Sequence, residues 1–468
     1  MMTAVLWWII SSLHTAAATG GNIAPSTANR PIPQTPPNFS TSSRGNPVQA
    51  VTVAQLTNLV LENQYLDLEG ALKASADIPP VARAFFEGVL ANRENRTTDS
   101  LRELELALAD YAEPLAPDLQ TIALRTLADN YTKAFRYGDA ADTYSRLLKI
   151  NNSSLTESDR KILDGSRQTM ELLRNAPLQT VVFHSPFQLP TKQNALGLAE
   201  VQLSVGGQQQ SWILNTWAGQ SLVTVSLAHR LGLTVTQATA PLAGPGGKIV
   251  SAHAAVIPEL KVGTATFRHM AVLVVEDQDF YIPQAKFQFN AILGYPALSA
   301  LGSVTLYSDG GLGARKPLAS EKLRGSQMMV AGLTPLVAVT IEHARRLFLL
   351  DTGTQRTYLC ERYWQEHKNE LVGQQPHDLR IGGEQAVPAY TAGSVAIDVG
   401  GVPVTLKSVS VLSKPTATGG DNYYGVLGQD VMKLFGSCTL DFHDMRYVCK
   451  RGAAPVKKAG GDADDDDD

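Results

Sequence analysis

Hydrophobic and polar positions change rhythm along this chain. From about Val51 to Asn175, apolar residues recur at the spacing of amphipathic helices. After "NAPLQTVVFHSPFQLP" (175–190) the period shortens, and alternating stretches broken by Gly and Pro predict strands as far as "YVCK" (447–450). Val201, Leu203 and Val205 alternate with polar residues, as do Val337, Val339 and Ile341. Residues 21–48 are rich in Pro, Ser, Thr, Asn and Gly and lack the means to build a core. Residues 311–326 ("GLGARKPLASEKLRGS") carry no apolar period and read as a separator. The pattern predicts a multidomain α+β chain, helical first and mainly β afterwards.

The β region repeats itself. Aligning Asn215 with Asp351, an offset of 136, superposes the two alternating strands without a gap. Each is followed by a polar turn ("GGQQQ", "EHARR") and a short apolar strand, "WIL" or "FLL". "AILGYPALSALGSVTLY" closes the first copy and "GVLGQDVMKLFGSCTLDF" the second. From Asn215 to Gly294 is 79 residues, and from Asp351 to Gly428 is 77. Three features at matched spacing predict an internal duplication. The helical region holds "LADNYTKAFRYGDAADTYSRLLKI", which resembles a tetratricopeptide repeat. Ala128 and Ala141 stand where two helices pack closely, Gly138 stands at the turn, and Tyr131, Tyr144 and Leu148 fill the groove. A weaker copy begins near Ala84. That resemblance implies stacked helix pairs presenting a concave face to a protein partner; a generic helical bundle is the alternative.

Composition narrows the function classes. At 468 residues the chain exceeds one core, and two to four domains are expected. Net charge is −4, with six Asp in the C-terminal "DADDDDD", so the body is near neutral. Without a basic patch interleaved with aromatics, nucleic acid is a poor candidate partner. The start, "MMTAVLWWIISSLHTAAATGG", resembles a secretory leader cleaved near Ala16–Ala18, although no Lys or Arg precedes its apolar run. Export to the periplasm or exterior is the expectation, with no integral membrane segment after leader removal. Three cysteines form no CxxC pair, and no metal-ligand motif or phosphate loop appears. Cys438 and Cys449 lie symmetrically about His443–Asp444, so a hairpin there places them on facing strands. They are a disulfide candidate if the protein is exported, or two buried thiols otherwise.

"LLDTGT", followed 77 residues after its Asp by the Gly of "VLG", resembles the retropepsin-like and pepsin-like aspartyl proteases. The resemblance covers about 270 residues: an apolar strand into Asp-Thr-Gly, a helical stretch, a Gly-bearing hairpin, an apolar-apolar-Gly strand and a closing strand. It implies two tandem lobes, each giving one Asp to a pair that shares a proton. Asp351, Thr352, Gly353 and Thr354 match the motif. The Thr of each copy, Thr216 and Thr352, is implied to reach across to the other lobe. The flap position falls on Gly244, Gly246 and Gly247 in "LAGPGGKIVSA", and on Gly382 and Gly383 in "LRIGGEQAVPA". The first copy departs from the pattern. Asn215 can hydrogen-bond but cannot exchange a proton, and Trp217 is bulky where the family has Gly. A changed loop path is expected there, or a side chain filling part of the cleft.

The expected organisation is a leader (1–20), a linker (21–48), a helical domain (49–176), a degenerate lobe (180–310), an intact lobe (326–451) and an acidic tail (452–468). The expected function is peptide-bond hydrolysis by water activated at Asp351, without a cofactor, on a peptide or protein in the interlobe cleft. The alternative is a pseudoprotease that binds extended peptides without cutting them.

Overall fold

The computed structural model describes residues 51–75, 77–109, 114–150, 155–244, 249–316, 323–371, 374–380, 386–414 and 423–452. The leader, the linker, nearly all of the tail and the flap glycines Gly246, Gly247, Gly382 and Gly383 lie outside the described residues.

The chain begins with helices α1 (Val53–Leu61), α2 (Tyr65–Ala74), α3 (Pro80–Arg93), α4 (Thr97–Ala109), α5 (Pro117–Lys133), α6 (Tyr137–Leu148) and α7 (Glu157–Leu172). Local chemistry sets their starts. Thr52 and Thr156 cap α1 and α7, each in a capping box closed by Gln55 or Asp159. Pro80 and Pro117 open α3 and α5, where a missing N–H leaves no bond unmade. From α3 to α7 each helix packs on the next. Ala128 and Ala141 are buried in α5 and α6, and Tyr131 and Tyr144 are buried beside them. Asn92 donates to Asn130 Oδ1 at 2.7 Å and Asn130 donates to Ser100 Oγ at 2.7 Å, which ties α3, α4 and α5 together.

Strands follow. The first part holds β1 (Thr180–Phe183), β2 (Phe187–Gln193), β3 (Ala199–Val205), β4 (Gln208–Leu214), β5 (Leu222–Thr224), α8 (Val225–Arg230), β6 (Ala240–Ala243), β7 (Ile249–Val262), β8 (Ala265–Val275), β9 (Tyr281–Ile282), β10 (Phe287–Gln288), β11 (Ala291–Leu293), α9 (Tyr295–Ala300), β12 (Ser303–Tyr307) and β13 (Gly311–Arg315). The second part holds β14 (Ser326–Ala331), β15 (Thr334–Ile341), β16 (Ala344–Leu350), β17 (Tyr358–Leu359), α10 (Glu361–Leu371), β18 (His377–Arg380), β19 (Ala386–Val399), β20 (Val402–Leu412), β21 (Gly425–Leu427), α11 (Gln429–Met432), β22 (Ser437–Asp441) and β23 (Arg446–Lys450).

Equivalent strands pair alike in both parts. β4 runs parallel to β11, and β16 parallel to β21. β5 is antiparallel to β11, and β17 antiparallel to β21. β5 also pairs in parallel with β8, and β17 with β20. The period of two then sorts the side chains: Phe348 and Leu350 of β16 enter one apolar cluster, and Leu347 and Leu349 enter another.

An antiparallel sheet in the order β2-β13-β12-β22-β23-β14 joins the parts. At its centre Thr305 opposes Thr439, with hydroxyl oxygens 2.8 Å apart. The presence of β13 corrects the reading of 311–326 as a bare separator and moves the end of the first part beyond residue 310. Gly311 and Gly313 lie against the Tyr307 ring, where a Cβ would come within 3.2 and 3.0 Å of ring atoms. That face is made by missing side chains, which a search for apolar alternation passes over.

The helices pack directly on the strands. Their apolar cluster continues into Met329, Leu336, Leu347, Leu349, Tyr423 and Val426 of the second part. α7 packs on β6, α3 on β14 and α2 on β16. Asn95 donates to Phe442 O at 3.0 Å, and Gln327 donates to Glu69 Oε2 at 3.1 Å. Among the described residues no helix is long and apolar enough to cross a membrane.

Candidate active site

Strands β4 and β16 lead directly into Asn215 and Asp351. Each is held in place by a backbone bond to the strand beside it. Asn215 N donates to Leu293 O and Asp351 N donates to Leu427 O, both at 3.1 Å. The glycine after each of these partner strands is required by close approach. A Cβ on Gly294 would lie 2.6 Å from Ala218 O, and one on Gly428 would lie 2.6 Å from Arg356 C.

The next residues interlock across the seam between the parts. Thr216 N donates to Thr352 Oγ1 at 3.1 Å, and Thr352 N donates to Thr216 Oγ1 at 3.3 Å. Thr216 Oγ1 also lies 3.2 Å from Leu350 O, and Thr352 Oγ1 lies 3.5 Å from Leu214 O. Both threonines are buried. This reciprocal set brings the loops carrying Asn215 and Asp351 to one seam.

Asp351 is fully buried. Its Oδ1 accepts from Gly353 N at 2.7 Å and its Oδ2 from Thr354 Oγ1 at 2.5 Å. Burial disfavours the carboxylate and pushes its pKa from 3.8 up to about 6; the Thr354 and Gly353 bonds oppose this without cancelling it. Asn215 is 1% exposed, and its Oδ1 accepts from Trp217 N at 2.8 Å, the counterpart of the Gly353 bond. Its Nδ2 has no partner among the described residues. The residue aligned with Thr354 is Ala218, which has no hydroxyl to offer.

The loop path at Trp217 is therefore the same as at Gly353, contrary to expectation. Neither residue has a positive φ, so the backbone does not demand glycine at this position. Trp217 is buried and belongs to the apolar cluster that contains the helices, rather than standing free in a cleft.

Several supporting residues were missed by reading the motif alone. Ser221 Oγ accepts from Gly294 N and Thr357 Oγ1 accepts from Gly428 N, both at 3.0 Å. Asp430 holds Thr357 through its N–H at 2.9 Å and its hydroxyl at 2.7 Å. Gln429 donates to Thr352 O at 2.8 Å. The offset of 136 already aligned Ser221 with Thr357 and Ala218 with Thr354, and that was the available signal.

The remaining candidates lie elsewhere. Gly244 is buried at the end of β6, in the hairpin β6–β7. Cys438 and Cys449 face each other on β22 and β23; both are buried free thiols with sulfurs 2.8 Å apart. The β22–β23 turn brings ligand atoms of Asp441, His443 and Asp444 within 4.8 Å. Asp441 Oδ1 there accepts from His443 N and Asp444 N, and these bonds account for the grouping as a turn.

Comparison with known proteins bears on the first part. The sequence model of a family described as "Aspartyl protease" matches residues 201–297, about a fifth of the chain. The matched stretch contains Asn215 and not Asp351. No curated protein matches the chain. A solved structure similar to part of it is a retropepsin-like aspartic protease from Rickettsia conorii, at 15% identity and a TM-score of 0.20, covering 29% of this chain and 93% of that one. The family match makes the stretch 201–297 similar to aspartyl proteases.

Proposed function

We infer that the chain is an aspartic-type peptidase of two tandem lobes that works through one carboxylate, Asp351, with the Asn215 amide in place of a second. The observation that carries this is the reciprocal bonding of Thr216 and Thr352, which sets an intact Asp-Thr-Gly-Thr beside an orphaned buried amide. In the reaction, ionised Asp351 takes a proton from water as the water oxygen bonds to the peptide carbon. The carbonyl oxygen becomes an oxyanion, and Asn215 Nδ2 donates to it. The C–N bond then breaks, Asp351 returns the proton to the leaving nitrogen, and a carboxylic acid and an amine result. Asn215 supplies no proton, so no proton need be shared across the seam.

Binding without turnover is the second reading. Every residue from Asn215 to Gln220 is buried, while Thr354, Gln355 and Arg356 are partly or fully exposed. An enclosed first loop without a carboxylate, beside an accessible second loop, suits binding at the second loop without turnover. A helical region of the tetratricopeptide-repeat kind, export, and a disulfide between Cys438 and Cys449 complete the proposal. The deciding experiment incubates the protein with a denatured protein mixture from about pH 3 to 8 and reads new termini by mass spectrometry. Cleavage by wild type and none by Asp351→Asn supports hydrolysis at Asp351. Equal cleavage by both removes the assignment, and retention of peptides without cleavage by either supports the second reading.

A further inference from the structure

Where the helices meet the second strand-rich part, buried charge is left unpaired. Arg93, at the end of α3, is 7% exposed. Its Nη2 donates to Tyr65 Oη at 3.2 Å, its Nη1 donates to Asn92 Oδ1, and its Cζ stands 4.7 Å from the Tyr65 ring centre. None of these partners is an anion, and Arg93 Nε has no partner at all among the described residues. Lys133, at the end of α5, donates to the backbone oxygen of Asn92 at 3.0 Å. Desolvation brings its ammonium down to about 7, opposed by Asp129 and assisted by the like charge of Arg93. Asp129 is buried one turn earlier on α5, and burial raises its carboxyl despite Arg93, Lys133 and Arg125 nearby. Among the described residues it forms an ion pair with neither Arg93 nor Lys133. Tyr423, from the second part, is buried in the same apolar cluster as Tyr65.

Buried charges are ordinarily paired, because an isolated one loses its hydration without compensation. Here Arg93 and Lys133 stand near one carboxylate, Asp129, and the guanidinium keeps an N–H without a partner among the described residues. The group that completes a guanidinium edge is planar, has two oxygens and carries negative charge. It accepts from Nε and from the second hydrogen of Nη2. We propose that this junction is a carboxylate-binding site, with Arg93 as the fork, Lys133 as the second cation and Tyr65 and Tyr423 as its walls. The carboxylate is either a free small acid or the C-terminus of a peptide. Tyr423 lies four residues before Leu427, whose oxygen accepts from Asp351 N. Four extended residues span about 13 Å, so a peptide anchored here by its terminus lies within a few residues of the candidate catalytic seam. The site does not depend on whether that seam is active.

The test titrates the full-length protein by calorimetry with an N-acetylated tetrapeptide acid, the same peptide as its C-terminal amide, and sodium acetate, with chloride fixing the ionic strength. The expected result is at least tenfold tighter binding of the peptide acid than of its amide, with acetate competing. Arg93→Lys keeps the charge but loses the planar fork, and should weaken peptide-acid binding about tenfold or more. Lys133→Gln removes the second cation and should do the same should Arg93→Lys fail to fold by circular dichroism. Saturable acetate binding that either variant weakens, with peptide acid and amide bound equally, assigns the site to free small carboxylates. No preference for either acid over the amide and chloride, or wild-type affinity in folded variants, overturns the proposal. Cleavage of C-terminally amidated substrates should be the same in both variants as in wild type, which separates this site from the seam.

Discussion

Replacing Asp351 by Asn should stabilise the protein while removing the proposed hydrolytic activity. The carboxyl is fully buried and its pKa stands at about 6 rather than 3.8. At ~1.4 kcal/mol per tenfold change in proton affinity, that rise corresponds to about 3 kcal/mol. The sign follows from proton counting. Between pH 3.8 and about 6 the folded chain holds a proton on Asp351 that the unfolded chain has released. Stability therefore falls as pH rises through this window, and above it the ionised buried carboxylate carries the whole cost. Asn has the same shape without charge, and the first loop already seats Asn215 through the equivalent N–H bond. Asp351→Asn should then be more stable than wild type by about 3 kcal/mol near pH 7–8, less at pH 5, and nearly equal below about pH 4. Thr354 Oγ1 must turn from donating to accepting, which takes a part of this gain back. Urea unfolding of both proteins at several pH values measures the difference. A difference that does not change with pH, or a variant less stable at pH 7 than at pH 4 relative to wild type, would refute the desolvation argument. The stabilised, inactive variant would then also show that the active site is held at the expense of stability.

Other outcomes follow from the same geometry. Hydrolysis by wild type should rise as pH passes through about 6 and hold above it, because the base must be ionised; an optimum near pH 4 would contradict a lone carboxylate. Asn215→Asp alone should raise peptide hydrolysis on the order of 10²-fold and move its optimum toward acid, since the loop at Trp217 already follows the path at Gly353. Trp217→Gly should instead lower stability by about 3–5 kcal/mol by emptying a buried site, and this is measured by denaturant titration. Gly294→Ala and Gly428→Ala each force a Cβ against backbone at 2.6 Å, so either should lose at least ~2 kcal/mol or fail to fold, as circular dichroism would report. Material exported through an oxidising compartment should carry a Cys438–Cys449 bond in non-reducing peptide maps; two free thiols there would count against it.

Much of this was fixed by local pattern. A run of side chains at period two or 3.6 can bury one face only as a strand or a helix, so the change of rhythm near Thr180 settled which part would be helical and which β. The offset of 136 aligned residues whose strands pair alike in the two parts. The same alignment was enough to single out Asp351, Asn215, Thr216 and Thr352 before any distance was known. Other features depended on contacts between residues far apart in the chain, which carry no local signature. Strand β13 exists because two glycines make room for Tyr307. Trp217 is tolerated because its backbone does not need a positive φ and its ring finds an apolar cluster that includes residues from the helices. Whether Asn215 Nδ2 and Arg93 Nε would be satisfied could not be read from residue type, since an amide or a guanidinium finds its partner only when the chain is packed. The sequence named the groups that can donate, accept and ionise; the tertiary structure decided which of them were left buried without a partner, and there the chemistry concentrates.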